Sequence, residues 1–351
     1  MIKYTLFTLF FLLFTFSSCT EKKEVLTLEH VKVSKLQLEE TPFDIPSLFP
    51  KGCCIKDSFL VIFDPKDKDG FLYIYNKEKK TLLNKYGIIG EGPNDFKNPR
   101  FLFNDNLQIS KNTLLIGDVT SLYTVNIDSI FSSSKKAHYI QTEIPENLRL
   151  YNYVLQDNDS MLIVNQTRDH QLTFYNKLTH TIELKNYFEK NRYLKDASDF
   201  CHVMQIYDAY YSSNKERIVI AYKNWKQIDI ISTSGKLIKH IYFPNYDYNK
   251  SKMSLDGKSL RIEDDAHMFF SFIYPTNDYF YALCWNNTRT NIKQGSAKTS
   301  IYKFNWEGEL KDIFQLDKAI SYFCIDSSNI LYAIGVSEDN LDLNIYSSII
   351  K

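Results

Sequence analysis

Leu60–Asp64 (LVIFD) and Leu72–Asn76 (LYIYN) are two short apolar segments separated by a polar, turn-rich interval. The first recurs as Leu114–Asp118 (LLIGD), Met161–Asn165 (MLIVN), Ile218–Tyr222 (IVIAY), Phe280–Cys284 (FYALC) and Leu331–Gly335 (LYAIG), with successive starts 54, 47, 57, 62 and 51 residues apart. The second recurs in step as Leu122–Asn126 (LYTVN), Leu172–Asn176 (LTFYN), Ile228–Ser232 (IDIIS), Ile301–Asn305 (IYKFN) and Leu343–Ser347 (LNIYS). Segments of this length, rich in β-branched and aromatic residues, are buried strands. Each second member ends in Asn or Ser, side chains that favour a turn. A third run follows most pairs, as in Leu237–Phe243 and Leu310–Leu316, and an apolar stretch precedes each, as in Phe200–Tyr211 and Ala266–Tyr274. Four short strands at a period near 50 are the mark of propeller blades. The expected fold is therefore all-β, a six-bladed β-propeller. A β-sandwich or a two-domain β protein gives no reason to repeat one strand pair six times.

Outward from the repeat, the two ends of the chain complement each other. The sixth unit stops at Lys351 after its third strand, and the run Val25–Leu38 (VLTLEHVKVSKLQL) precedes the first unit. Placed as the outer strand of the last blade, that run joins the termini and covers an open edge. Truncation before about Glu40 is then expected to destabilise the ring. Ahead of it, Lys3 and the apolar run Leu6–Phe16 lead to Phe16-Ser17-Ser18-Cys19. The run is too short to span a bilayer, and its flanks are those of a secretory signal. It resembles a lipoprotein signal in which cleavage leaves Cys19 as the lipid-bearing residue; an ordinary signal with a chance cysteine is the alternative. The expected boundaries are residues 1–18 for the signal, 19–24 for the lipidated cysteine and a charged tether, and 25–351 for the propeller. A lipid anchor places the chain at the outer membrane, facing the periplasm or the cell surface.

Lys and Arg number 42, as do Asp and Glu, with no block of one sign. Nucleic acid is excluded as a partner, because the basic footprint it requires is missing. Glycine is scarce at 11, so Asn, Asp, Ser and Lys must make most of the turns. Besides Cys19, the cysteines at 53, 54, 201, 284 and 324 match no zinc or thioredoxin spacing. Buried free thiols are expected, with a vicinal Cys53–Cys54 disulfide as the alternative.

The stretch Lys85–Arg100 (KYGIIGEGPNDFKNPR) resembles the G-x-G-P-x-x-F segment of NHL-like propellers, and in particular the six-bladed, TolB-like propeller lipoproteins of Bacteroidetes. It departs from them at Asn94-Asp95, where Gly-Glu is usual. The resemblance covers nearly all of the expected mature chain and implies architecture without an activity. Read physically, Gly90 and Gly92 supply positive φ, Pro93 stiffens the turn and Phe96 plugs beneath it.

In an antiparallel blade, connections between the second and third strands emerge on the same face as those between blades. The long connections Gly87–Pro99, Phe188–Asp199, Pro244–Asp265 and Trp285–Thr299 all belong to that face, whereas most loops of the other face are short, Ile127–Lys136 being the exception. Function concentrates on loops carried by a rigid scaffold. The expected binding face gathers Phe96, Arg100, Arg168, His170, Tyr193, Trp225, Tyr246, Tyr248, Trp285 and Arg289, rings and guanidinium groups typical of protein or glycan contact. Each ring could instead anchor its own loop. His202 and His267 fall on expected inner strands and are candidates for the central channel.

Catalytic signatures are missing. Asp64–Gly70 (DPKDKDG) places Pro65 and Asn76 where a calcium loop needs ligands. The histidines have no zinc spacing, and neither a nucleophile elbow nor a phosphate loop occurs. No metal site or cofactor is assigned, although six-bladed lactonases hold calcium with channel-lining Glu, Asn and Asp. The leading expectation is a cell-envelope binding or scaffold module using the long-loop face. A channel-centred, calcium-dependent hydrolase or lyase of the lactonase type is second, and a structural partner in an envelope complex third.

Overall fold

A computed structural model describes residues 25–350, apart from 45, 47–48, 103–111, 120, 133–137, 146–153, 158–160, 168–169, 189–208, 215, 257–258 and 337–342. Six blade sheets, each antiparallel among its own consecutive strands, follow one another along the chain. Blade one comprises Gly52–Lys56, Phe59–Phe63, Leu72–Asn76 and Thr81–Tyr86; blade two Arg100–Leu102, Thr113–Asp118, Ser121–Asn126 and His138–Glu143. Blade three comprises Val154–Asp157, Met161–Thr167, His170–Asn176 and Thr181–Lys185; blade four Ala209–Ser213, Arg217–Tyr222, Gln227–Ser232 and Leu237–Tyr242. Blade five contains His267–Pro275, Tyr279–Thr288, Ser300–Asn305 and Leu310–Leu316, and blade six Ile320–Ile325, Ile330–Val336 and Leu343–Ile349. The two repeated segments are the second and third strands of every blade.

Burial explains why those strands are continuously apolar. Thr113–Asp118 is buried at every position, and Arg217–Tyr222 at all but its first, because these strands are covered on both faces. The outer strand Thr81–Tyr86 is mostly exposed, and its sequence TLLNKY is correspondingly mixed. Neighbouring blades interlock through aromatic rings. Phe243 of blade four meets Phe270 and Tyr302 of blade five, both at 5.6 Å, and Phe280 stacks on Phe304 at 5.0 Å within blade five. One core cluster joins Cys53, Leu60 and Ile62 of blade one to Phe323, Ile325 and Ile334 of blade six. Lys77 of blade one also pairs with Asp326 of blade six at 2.8 Å.

The Asn and Ser residues that close the third strands act as expected of turn makers. Asn76 Oδ1 accepts from Lys79 N at 2.7 Å, Asn176 Oδ1 from Leu178 N and Thr179 N, and Asn305 Oδ1 from Glu309 N at 2.8 Å. Asn126 caps the short helix Ile127–Phe131 through Ser129 N. Cys53, Cys54, Cys284 and Cys324 are buried as thiols and form no disulfide among the described residues.

The N-terminal run departs from expectation. An N-terminal strand does pair with the third strand of blade six, but it is Glu39–Thr41, directly after Val25–Leu38. Lys32–Leu36 runs parallel to Leu310–Leu316 as a fifth strand of blade five, and Val25 bridges Tyr242 of blade four. Leu26, Leu28 and Val31 pack on the core between those blades, and Leu38 N donates to Asp317 Oδ1 at 3.0 Å. The run is thus a strap across three blades. Its apolar residues are used where outer-strand side chains leave a surface to cover, and the last blade needs only three residues.

The glycine-rich segment also departs in detail. Phe96 plugs the turn as expected, 1% exposed and 5.0 Å from each of Phe71, Tyr123 and His138. Gly90 and Gly92 do not adopt positive φ; in this stretch only Gly87 does, at +85°. Their lack of a side chain admits the Asp95 carboxylate, since a Cβ would lie 2.4 Å (Gly90) or 2.7 Å (Gly92) from Asp95 Oδ2. That oxygen accepts from Gly92 N at 2.8 Å.

Candidate functional site

Three connections converge on the long-loop face of blades four and five. They are the turn Lys223–Lys226 between second and third strands, the excursion 243–266 between the blades, and the helix Arg289–Lys293 inserted in blade five. The excursion contains a 3-10 helix, Tyr248–Lys252, and a hairpin pairing Met253–Asp256 with Ser259–Ile262. Fully buried Asn249 ties the excursion to the turn and to the start of blade five. Its Nδ2 donates to the backbone oxygens of Asn224 and His267, both at 2.7 Å, and its Oδ1 accepts from His267 N at 2.8 Å. Arg289 Nη2 donates to Asn224 Oδ1 at 3.0 Å. Tyr248 is 41% exposed, and its ring lies 4.2 Å from that of His267.

The electrostatics of this cluster are one-sided. Lys252 pairs with Asp265, and Lys293 with Asp264 at 3.1 Å, so those two charges are compensated. Lys226 is 8% exposed, and among the described residues its ammonium has no carboxylate partner, only the Phe243 ring at 5.8 Å. Burial pulls its pKa below the usual lysine value. Arg289 Nε is buried without a hydrogen-bond partner among the described residues. Burial, and then the charges of Lys226 and Lys252, hold the His267 imidazole below its ordinary range, so it is neutral at pH 7. A buried cation without a counter-ion is costly, and an arriving anion recovers part of that cost.

Of the residues expected on the binding face, Tyr246, Tyr248 and Arg289 lie in these connections, and the channel candidate His267 joins them from the start of the first strand of blade five. Two expectations are corrected. Phe96 and Trp225 are core residues, Trp225 being fully buried and 5.8 Å from Phe188, because each large ring fills the space beneath its own loop. Trp285 stands on the second strand of blade five and donates from Nε1 to Ser271 Oγ at 3.0 Å, anchoring its own sheet. Arg100 opens the first strand of blade two, its Nε buried and unpartnered. His170 opens the third strand of blade three, its side chain outside the described residues, and Cys19, Arg168, Tyr193 and His202 lie outside them altogether.

Sequence reasoning missed Lys226, Asn224 and Asn249. Nothing local marks a lysine as buried; the one available signal is the adjacent Trp225, a ring large enough to draw its turn into the core. The Asp64–Gly70 loop is a structural turn. Asp64 accepts from Phe49 N and Lys66 N, and Asp67 accepts from Tyr73, Lys85 and Asp69 N. Among the described residues, no three His, Cys, Asp or Glu side chains converge as metal ligands.

A family model described as TolB-like 6-blade propeller-like matches residues 27–328. A duf4221-family member from Bacteroides vulgatus is similar in structure at a TM-score of 0.56 and 12% identity, over 90% of this chain and 98% of that one. A Bacteroides fragilis protein whose name assigns it to export is similar at a TM-score of 0.51 and 13% identity, over 92% of this chain and 99% of that one. At such identities the likeness concerns the fold alone. Among curated proteins, none matches the chain.

Proposed function

The chain belongs to the TolB-like six-bladed propeller family, and from that premise we propose that it is a cell-envelope binding module, lipid-anchored through Cys19. Its partner is carboxylate-rich and docks on the long-loop face at blades four and five. The observation that carries this reading is the pair of cations with no carboxylate partner among the described residues, nearly buried Lys226 and partly buried Arg289, beside the Tyr248–His267 stack. Rings that supply contact area next to guanidinium and ammonium donors are the ordinary make-up of a recognition surface. The signal-like N-terminus supports the location, as does the name of the exported Bacteroides fragilis neighbour.

The test is binding of immobilised protein to polygalacturonate and polyglutamate, with uncharged dextran as the comparator. Retention of both acidic polymers, lost on combining Lys226→Met with Arg289→Ala, is the expected result. Equal retention of dextran, or a double variant that binds as the parent does, refutes the proposal.

A further inference from the structure

The opposite face carries a feature that the long-loop reading does not use. First-to-second-strand turns of blades one, five and six border a cleft of ≈ 770 Å³. Its rim includes Asp57 of blade one, Asn277 and Asp278 of blade five and Asn329 of blade six, with Tyr281 and Lys303 of blade five also in its lining. The volume falls within the range of about 300–1,000 Å³ usual for small-ligand pockets.

Two observations make it more than a gap between turns. Tyr281 lines the cleft and is 4% exposed, yet its hydroxyl has no hydrogen-bond partner among the described residues. The ring is packed in the blade while the hydroxyl stays open to the cleft, so its donor is free for a ligand. Burial raises its pKa to about 12, keeping the proton on the oxygen at physiological pH. The second observation is the distribution of polar groups. Lys303 Nζ lies 4.3 Å from the centre of the Tyr279 ring and 3.7 Å from Asp312, so that ring is already covered by a cation and closed to an amine ligand. The cleft therefore offers donors on blade five, the Tyr281 hydroxyl and the Lys303 ammonium. Its acceptors are the carboxylates of Asp57 and Asp278, which have no partners among the described residues. Asp326, also in the lining, is occupied by Lys77, Ser328 N and Ile330 N and serves the fold.

A ligand matching this cleft must both donate and accept at short intervals. We propose that the cleft is a second, independent binding site, for a neutral saccharide of one or two units. The hydroxyls of the sugar donate to Asp57 and Asp278 and accept from Tyr281 and Lys303.

The experiment is saturation-transfer NMR on the full chain in detergent, with glucose, galactose, cellobiose and lactose as probes at about 20 mM, suited to millimolar affinity. Transfer to at least one of them is expected. Tyr281→Phe, which removes only the hydroxyl, should weaken binding about five- to tenfold. Asp278→Ala, at an exposed turn tip, should weaken it by a similar factor. Lys226→Met should leave sugar binding unchanged, which separates this site from the long-loop face. Absence of transfer from all four sugars overturns the proposal, as does undiminished transfer in both cleft variants.

Discussion

Replacing Lys226 by Met should stabilise the protein while weakening its affinity for acidic polymers. Met keeps most of the methylene stem that lies in the boundary between blades four and five, so packing against Phe243 is retained. The loss is the attraction of the ammonium to that ring, about 0.5–1 kcal/mol. The gain is relief from burying an uncompensated charge, a penalty of about several kcal/mol for a fully buried ion. The side chain retains a little solvent contact at 8% exposure, which places the net effect at the lower end, about 1–2 kcal/mol of stabilisation. With an unfolding entropy of about 2.1 cal/mol/K per residue over the propeller, that corresponds to a Tm higher by about 1–3 °C. Calorimetry at several pH values adds a signature that packing alone cannot imitate. The lysine titrates below 10.5 in the folded state and near 10.5 unfolded, so its penalty is fully present below the folded pKa. It fades as pH rises from there towards 10.5. The advantage of the Met variant should therefore be largest at neutral pH and shrink in alkaline buffer. A variant that melts lower than the parent at pH 7, or an advantage independent of pH, refutes the assignment of Lys226 as an uncompensated cation.

Gly90→Ala should lower stability by about 1–2 kcal/mol, because its Cβ meets the Asp95 carboxylate at 2.4 Å. Adding Asp95→Ala should recover part of that loss in a denaturant titration, whereas additive losses would contradict the close-approach explanation. Thermal melts in calcium and in chelator should coincide, since the Asp64 and Asp67 carboxylates are engaged by backbone and side-chain donors. A Tm that falls on chelation, with one calcium retained per chain, would restore the channel-centred hydrolase reading.

The strand pairs were legible in the sequence because their causes are local. A strand covered on both faces is apolar through its middle, as Leu114–Ile116 and Ile218–Ala221 are, and the Asn that ends a third strand accepts from amides only two to four residues ahead. The candidate sites were only partly legible. Tyr246, Tyr248 and Arg289 were expected from loop length and lie in the connections of the proposed face, whereas Phe96 and Trp225 are buried, because a large ring in a loop looks the same whether it faces water or the core. The use of Gly90 and Gly92 was misjudged because a glycine that admits a neighbouring carboxylate has the same letter as one that turns the chain.

By itself, the amino-acid sequence determined the blade count, the place of the repeated strand pairs and the turn chemistry, since each depends on residues within a few positions of one another. Tertiary structure alone decided where the N-terminal strap lies, which lysine is stripped of water and which hydroxyl opens into a cleft. Leu38 meets Asp317 across 279 residues, and the cleft is assembled from blades one, five and six. Burial and pairing at such separations depend on how whole blades stack, and no local pattern encodes that.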